Sequence, residues 1–243
     1  FEFLTLACFD LFDEAQLDLG ILEIGLGGRL DAVNIIDPDV SLITSIGLDH
    51  QAYLGDSLEA IASEKAGVMR HGIQTFSAAS NVRHTLQIES QRYGAQLSWL
   101  DEAFDGRTVA LPVSGLMLDV TGVYLPKPSI ALACLAMDAL GHITSQLQED
   151  VLNQAVMMGR MSRHQIGGRN YILDVGHNSL ACEFVTRSLR PVIPRSRRVV
   201  IFGALGDKDI DLMLPILRAY TGRVALVGVE GSRGRTVDAL ETS

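Results

Sequence analysis

Two short apolar segments near the start of the chain are each followed by residues that can bind a metal ion. One covers residues 19–23 and ends at Glu23, and the other covers residues 40–46 and precedes Asp49 and His50. Apolar runs of this length between turn residues predict buried parallel strands, whose carboxyl ends meet at one edge of a sheet. We therefore expect Glu23 and His50 to share one crevice.

The residue types at that crevice suit a divalent cation. A carboxylate is a good ligand for Mg2+, and the imidazole predicts that Mn2+ is tolerated as well. Taken singly, Glu23 could be a solvated strand end and His50 a structural histidine. Their joint placement on successive strand ends favours a metal site.

A glycine-rich turn, Gly25-Leu26-Gly27-Gly28, follows Glu23. It does not match the dinucleotide-binding fingerprint, because Leu30 stands where the third glycine would be. By itself the turn indicates only a tight backbone with positive φ. The charged residues around it, Glu23 before and Arg29 and Asp31 after, favour a functional interpretation.

Lysine is scarce in this chain. Only Lys65, Lys127 and Lys208 occur among 20 basic residues, the others being arginine. An amine can be deprotonated or modified whereas a guanidinium cannot, so a retained lysine is suited to chemistry. The alternative for Lys65 is that it forms a solvated helix pair with Glu64.

Composition limits the classes of partner. The chain has 243 residues, 47% of them hydrophobic, which fits one large domain or two ordinary ones. A net charge of −9 argues against nucleic acid or an anionic membrane as partner and favours small-molecule chemistry. No apolar run approaches the roughly 18 residues of a membrane span.

The cysteines and the first residues indicate compartment and completeness. Cys8, Cys134 and Cys182 are odd in number and widely spaced, which predicts neither disulfides nor a zinc site. A reducing, cytoplasmic location fits them. The chain begins Phe1-Glu2-Phe3, without an initiator methionine, and we expect it to be a fragment of a longer protein.

Apolar periodicity and capping residues predict the following elements. Helices are expected over residues 3–16, 57–69, 81–93, 129–140, 149–158, 180–190 and 210–220, with a further helical start at 236. Strands are expected over residues 19–23, 40–46, 171–175, 199–202 and 224–229. Beyond a boundary at Gly159-Arg160, this alternation predicts a parallel sheet with helices on both faces.

Polar clusters follow the three predicted C-terminal strands, at residues 174–179, 203–209 and 230–234, and should meet at one sheet edge. Asp174 could accept hydrogen bonds from ribose hydroxyls, and His177 could lie against a base. The alternative is that Asn178 or Ser179 simply caps the next helix. Arg160, next to glycine in a turn, is suited to reach a phosphate.

Together the motifs resemble those of dihydrofolate synthase/folylpolyglutamate synthases, within the Mur ligase superfamily. The matching residues are Phe1-Glu2-x-x-Thr5, Glu23-x-Gly25-Leu26-Gly27-Gly28-Arg29-x-Asp31-Ala32-x-Asn34, Thr44-Ser45-Ile46-x-x-Asp49-His50, Glu64-Lys65-Ala66-Gly67, Gly159-Arg160, Asp174-x-x-His177-Asn178 and Asp207-Lys208-Asp209. They occur in the family's order, from the first residue almost to the last.

The resemblance implies an α/β protein with two domains. Residues 1–158 would form the P-loop-type central domain of a Mur ligase, incomplete at its N-terminus and lacking its P-loop. Residues 159–243 would form a Rossmann-like C-terminal domain with a parallel sheet. A cytoplasmic monomer is expected.

The implied reaction is amide formation driven by ATP. ATP phosphorylates the substrate carboxylate, and the amine of L-glutamate then attacks the acyl phosphate. The implied partners are dihydropteroate, tetrahydrofolate polyglutamates, L-glutamate, ATP and Mg2+. Phosphoryl transfer of this kind requires neutralised charge and two substrates held in line.

The resemblance also implies roles for individual residues. Lys65, in an N-carboxylated form, and His50 would be catalytic, and both would bind metal together with Glu23. Substrate contacts would come from Phe1, Glu2, Leu30, Asp31 and Ala32. ATP contacts would come from Ser129, Arg160, Asp174 and His177.

One departure from the family pattern is large. The GxxGKGS-type loop, which cradles phosphates, does not occur in the chain, and neither does any Gly-Lys dipeptide. We therefore expect the chain by itself to be inactive. Ser129 stands where the family has an ATP-contacting asparagine. The alternatives to a folate ligase are a non-catalytic nucleotide-binding remnant and a Mur peptide ligase of cell-wall synthesis.

Overall fold

The computed structural model describes residues 1–123, 125–144 and 151–241. Contacts divide the chain into two compact units, Phe1–Ala155 and Val156–Ser243. The described helices and sheets make it an α/β protein, as predicted. None of these helices combines the length and the apolar character needed to cross a membrane.

A three-stranded parallel sheet forms the centre of the first unit. Its strands are β1 (Val40–Ile43), β2 (Gln74–Ser77) and β3 (Gln96–Trp99), in the order β1-β2-β3. Parallel neighbours cannot be joined by a tight turn, so each connection carries a helix. Those helices are α3 (Leu58–Ala66) and α4 (Arg83–Tyr93), which follow α1 (Glu2–Glu14) and α2 (Gln51–Leu54) along the chain.

Apolar residues cover both faces of this sheet. Phe76 packs with Leu132 and Leu135 of α6 (Lys127–Ala139), whereas Ile43 packs with Ile61 of α3 on the opposite face. Neighbouring residues of a strand point to opposite faces, which explains the division. The unit also contains α5 (Leu100–Ala103) and an antiparallel hairpin of β4 (Thr108–Ala110) and β5 (Met117–Asp119).

The predicted strand at residues 19–23 is wrong. These residues are irregular, and Ile21 is 86% exposed. A strand exists only by pairing with a neighbour, and in the described sheet β1 is an edge strand whose one partner is β2. Glu23 therefore does not lie at a strand end.

The second unit contains two small sheets. An antiparallel hairpin joins β6 (Ser162–Ile166) and β7 (Arg169–Leu173), and a parallel pair joins β8 (Val200–Phe202) and β9 (Val224–Leu226). Three helices accompany them: α7 (Ser179–Leu189), α8 (Ile210–Tyr220) and α9 (Val237–Glu241). The parallel β8–β9 pair and the helices agree with the predicted C-terminal pattern.

Two predictions for this region are wrong. The predicted strand at residues 171–175 pairs antiparallel with β6, because Gly167 and Gly168 both have positive φ and form a two-residue hairpin turn. The predicted helix at 149–158 lies partly outside the described residues. From residue 151 onward it is replaced by a short 3-10 helix, Leu152–Gln154, and irregular chain.

Candidate functional site

A cavity of about 600 Å3 lies in the first unit. All five residues with a predicted substrate contact line it, namely Phe1, Glu2, Leu30, Asp31 and Ala32. The remaining lining residues are Phe3, Leu26, Gly27, Gly28, Tyr53, Leu54 and Glu64. The walls thus combine aromatic and aliphatic groups with three carboxylates.

The glycine turn forms one wall because its backbone touches two helices. A β-carbon on Gly27, whose φ is +70°, would lie 2.9 Å from the side chain of Leu54 in α2. A β-carbon on Gly28 would lie 2.7 Å from the carbonyl oxygen of Glu64 in α3. Larger residues at these positions would push the turn away from the helices that complete the cavity.

Arg29 joins the turn to α3 at two points. Its backbone N–H donates to the carbonyl oxygen of Glu64 at 2.9 Å, and its guanidinium donates to the Glu64 carboxylate at 2.9 Å. The hydrogen bond and charge of Glu64 raise the pKa of Arg29. Glu64 therefore pairs with Arg29, which differs from the solvated Glu64-Lys65 pair considered as an alternative.

Asp31 closes the turn. Its Oδ2 accepts the N–H of Leu26 at 2.9 Å, and its Oδ1 accepts the N–H of Val33 at 2.9 Å. The second bond caps the 3-10 helix Ala32–Ile35. Each carboxylate oxygen has two lone pairs, so the group can still accept from a ligand while it holds the backbone.

Asn34 and Arg70 hold the same segment against the end of α3. The Asn34 side chain donates to the carbonyl oxygen of Gly67 at 2.9 Å. Arg70 donates to the carbonyl oxygens of Asn34 at 2.7 Å and of Gly67 at 3.0 Å, and it pairs with Asp37. The two motifs that begin at Glu23 and Glu64 therefore form one folded substructure.

Lys65 lies on α3, as predicted, but in its last turn, because the helix ends at Ala66 and not near residue 69; its side chain is partly buried. Burial lowers the pKa of its amine, and the negative charge of Asp49 acts against that shift. Asp49 also lies 3.9 Å from Nε2 of His50. The carboxylate of Asp49 and the imidazole of His50 offer oxygen and nitrogen atoms, which are ligand types that fit Mg2+ or Mn2+.

The backbone of His50 is unusual. Its φ is +52°, a left-handed conformation that few residues other than glycine adopt. Such conformations cluster at functional sites. Among the described residues, however, no three His, Cys, Asp or Glu side chains surround a common point as a metal site requires. Glu23, exposed in the irregular segment, stays a predicted ligand.

A second cavity, of about 470 Å3, lies in the second unit. Its lining comes from the segments that follow β7, β8 and β9: Asp174, Val175, Gly176, His177, Gly203, Ala204, Leu205, Lys208, Met213 and Val229. Two of the three predicted polar clusters, residues 174–179 and 203–209, therefore meet at this cavity, although β7 belongs to a different sheet from β8. The third cluster, residues 230–234, does not line it, and only the preceding Val229 does. Asp174 and His177, two of the predicted ATP contacts, are among the lining residues.

The turn at Arg160 is built onto Asp174. The N–H of Met161 donates to Oδ2 of Asp174 at 3.0 Å, and a β-carbon on Gly159 would lie 2.7 Å from Val175. Arg160, between these two contacts, is exposed. The structure thus brings Arg160, Asp174 and His177 into one neighbourhood.

The remaining candidates have other positions. Ser129 lies in the first turn of α6 and lines neither cavity described above. Asn178 accepts the N–H of Ala181 at 2.9 Å, so it caps α7, as the structural alternative proposed. Tyr53 lines the first cavity without having been expected there, whereas Lys208 lines the second as a member of the predicted cluster 203–209, in which it had no role of its own. The scarcity of lysine was a usable signal for Lys208, whereas nothing in the sequence singled out Tyr53.

Comparison with known proteins defines the class. Residues 159–242 match the family described as Mur ligase, glutamate ligase domain. The C-terminal part of the chain therefore contains a Mur ligase, glutamate ligase domain.

Over nearly its whole length the chain is similar to folate enzymes. It is 34% identical to the dihydrofolate synthase/folylpolyglutamate synthase of Escherichia coli K12, over 99% of the chain and 58% of that protein. E. coli FolC in complex with DHPP and ADP superimposes with a TM-score of 0.86 at 33% identity, over 98% of the chain and 59% of FolC.

A bifunctional folylpolyglutamate synthase/dihydrofolate synthase with Mn, AMPPNP and L-glutamate bound gives a TM-score of 0.80 at 34% identity. It aligns with all of the chain and 60% of that protein. The chain thus spans somewhat more than half the length of these relatives. They support the folate branch of the superfamily over the cell-wall branch.

Proposed function

We propose that the chain is part of an ATP-dependent ligase that adds L-glutamate to dihydropteroate and to tetrahydrofolates. A carboxylate oxygen of the acceptor attacks the γ-phosphorus of ATP, and ADP leaves. The amine of glutamate then attacks the acyl carbon, loses a proton and displaces phosphate. Each step depends on holding the two reactants in line.

The observation that carries the proposal is the 600 Å3 cavity in the first unit. Its aromatic and aliphatic residues suit a flat heterocycle, and a carboxylate such as that of Asp31 suits adjacent ring N–H donors. A UDP-sugar, in contrast, would bring a diphosphate toward Glu2, Asp31 and Glu64. The negative charges of the diphosphate and of these carboxylates would repel each other, so the cavity favours a pterin.

The nucleotide is assigned to the second unit. Asp174 and His177 line its cavity, Arg160 lies in the adjoining turn, and relatives bind ADP or AMPPNP. Ser129, which lies in the first unit, stays an ATP contact predicted from the family motif alone. Asp174 already accepts two backbone N–H groups, which leaves lone pairs for ribose hydroxyls.

The metal is assigned to Glu23, His50 and Lys65, with Mg2+ as the natural ion and Mn2+, bound in a relative, as a substitute. N-carboxylation would make Lys65 an anionic oxygen ligand. Only a neutral amine reacts with carbon dioxide, and the desolvation that lowers the pKa of Lys65 favours that form. Bound metal would supply charge neutralisation at the phosphates.

A cytoplasmic location and a monomeric state are part of the same proposal. All three cysteines are free thiols, which fits a reducing cytoplasm. The proposed protein works as a monomer, with dihydropteroate, tetrahydrofolate polyglutamates, L-glutamate and ATP as its small-molecule partners.

The pterin cavity is tested by binding of dihydropteroate to the purified chain, measured by calorimetry. Leu30 is 79% exposed and lines the cavity, so Leu30→Arg should block binding without disturbing a core. Ile88 on α4 is 51% exposed and lies outside the cavity, so Ile88→Arg is the matched control. Equal binding by both variants would contradict the assignment.

The nucleotide site is tested in the same way with ADP. The His177 ring is exposed, and its Nδ1 lies 3.2 Å from the Val175 carbonyl oxygen. His177→Ala should weaken ADP binding by about tenfold if the ring stacks on the base. His84→Ala, an exposed histidine in α4 of the first unit, is the control. ADP affinity that is the same in both variants would exclude His177 from the site.

A further inference from the structure

Arg235 belongs to the loop that follows β9, and its side chain reaches the loop that follows β8. Its guanidinium donates to three carbonyl oxygens of the first loop: those of Gly206 and Lys208, each at 3.0 Å, and that of Leu205 at 3.4 Å. A planar guanidinium can serve several acceptors at fixed angles, which an ammonium group cannot. One side chain therefore fixes the path of residues 205–208.

The second loop is itself firmly placed. The backbone N–H of Arg235 donates to the Ala204 carbonyl oxygen at 3.1 Å, and the N–H of Gly206 donates to that of Arg233 at 2.7 Å. A β-carbon on Gly234 would lie 1.8 Å from the Val229 carbonyl oxygen, so only glycine fits there. The guanidinium thus projects from an anchored segment.

The loop that Arg235 fixes carries Lys208 into the 470 Å3 cavity, beside Asp174 and His177. The Lys208 side chain is only 15% exposed, and its Nζ lies 3.1 Å from Asp207. A cation carried by a largely buried side chain has few directions in which it can meet an anion, and here one of them is the cavity. The direction in which the Lys208 side chain enters the cavity depends on the backbone path of residues 205–208.

We propose that Arg235 is a positioning residue, which holds this loop so that Lys208 faces the cavity and can meet an anionic oxygen of the ligand there. The ligand class is a phosphate group, and this part rests on the proposed nucleotide site. The positioning itself is independent of any ligand.

The chain offers a direct test, because it contains three lysines. Acetylation with a limiting active ester, followed by mass spectrometry, reports each of them separately. In Arg235→Gln, the rate at Lys208 should rise about threefold or more as local opening becomes easier, while the rate at Lys127 stays unchanged. Arg223→Gln, which removes a bond to the Ser196 carbonyl oxygen, is the matched control and should leave Lys208 unaffected.

An unchanged rate at Lys208 in Arg235→Gln overturns the proposal, and so does an equal rise at Lys127. Should Arg235→Gln fail to fold, Arg235→Lys is measured in its place. It keeps the positive charge but lacks the planar set of N–H donors. The acetylation rate at Lys208 in Arg235→Lys is then compared with that at Lys127 in the same way.

Affinity for ADP then tests the phosphate contact. Lys208→Met should weaken ADP binding about tenfold, and adding Arg235→Gln to it should change nothing further, because coupled residues are not additive. Additive losses overturn the coupling of Arg235 to Lys208. Absence of ADP binding by the unmodified chain would instead count against the proposed nucleotide site, and the acetylation rates would still decide the positioning.

Discussion

Gly67 and Arg29 approach each other so closely that a β-carbon on Gly67 would lie 2.4 Å from both Cα and Cβ of Arg29. Gly67 follows α3, and Arg29 belongs to the turn that lines the cavity. The φ of Gly67 is −60°, which any residue can adopt. The glycine is therefore required by the contact and not by its own backbone conformation.

Replacing Gly67 should separate the turn from α3. We expect Gly67→Ala to reduce the free energy of unfolding by about 2 kcal/mol or more, because the added methyl group overlaps with backbone. Urea unfolding of the chain measures this change. Gly20→Ala is the control, since nothing lies within 4 Å of the added atom. Equal stability of the two variants would contradict the close approach.

Asp31 should influence stability as well as binding. Asp31→Ala removes both carboxylate oxygens that accept backbone N–H groups and should lower stability by about 1–2 kcal/mol. Asp31→Asn keeps one acceptor oxygen and should lose less stability. Both variants should bind dihydropteroate about tenfold more weakly. Asp39→Ala, an exposed carboxylate nearby, should change neither. Unaltered dihydropteroate affinity in Asp31→Asn would remove Asp31 from the pterin site.

Two neighbouring hydroxyl groups in the sheet should respond in opposite directions to removal. Thr75 is fully buried, and its Oγ1 has no hydrogen-bond partner within the described chain. Ser41, opposite it on β1, donates to the Val68 carbonyl oxygen at 3.0 Å. Thr75→Val should stabilise the chain by about 1 kcal/mol and Ser41→Ala should destabilise it by about as much. Chemical denaturation measures both, and destabilisation by Thr75→Val would indicate a bond that the structure lacks.

The left-handed backbone at His50 predicts a specific order of variants. His50→Gly should be about 1 kcal/mol more stable than His50→Ala, because a β-carbon is unfavourable at positive φ. Thermal melting compares the two. Both variants lack the imidazole, so both should bind Mn2+ more weakly than the unmodified chain to the same extent. Equal melting temperatures would show that residue 50 has an ordinary φ in solution.

The buried thiols predict how stability depends on pH. Burial raises the pKa of Cys134 and of Cys182 to about 11 from 9.0, with the Asp174 charge adding to the shift at Cys182. The unfolded chain releases these protons at lower pH, so stability should fall as pH rises from about 9 to about 11. Denaturation midpoints of Cys134→Ala and Cys182→Ala should show a smaller decline. At pH 8 only the exposed Cys8 should be alkylated rapidly.

Local signals allowed most helices to be predicted from sequence. Ser57 caps α3 by accepting the N–H of Ala60 at 3.1 Å, and α8 begins and ends at the residues expected from its periodicity. The five predicted substrate residues were identified by family motif, and they converge because the glycine turn is packed on α3. Their convergence, unlike the helices, depends on contacts between distant residues.

The incorrect predictions concern pairing. An apolar segment such as residues 19–23 contains the side chains of a strand but not the partner that makes it one. The Gly167-Gly168 turn was a readable hairpin signal for β7, yet the alternation of strands and helices around it favoured a parallel arrangement. The double role of Asp31 could not be predicted, because its two acceptor bonds exist only once the turn is formed.

The order of strands in the first unit has a consequence for how the chain acquires its fold. Because β1, β2 and β3 are adjacent in space in the order in which they are synthesised, each new strand can dock on one that is already in place. Within the described sheet, each strand pairs with a strand that directly precedes or follows it along the chain. The entropic cost of loop closure therefore stays small at each step, and the three strands can pair one after another during translation, beginning with β1.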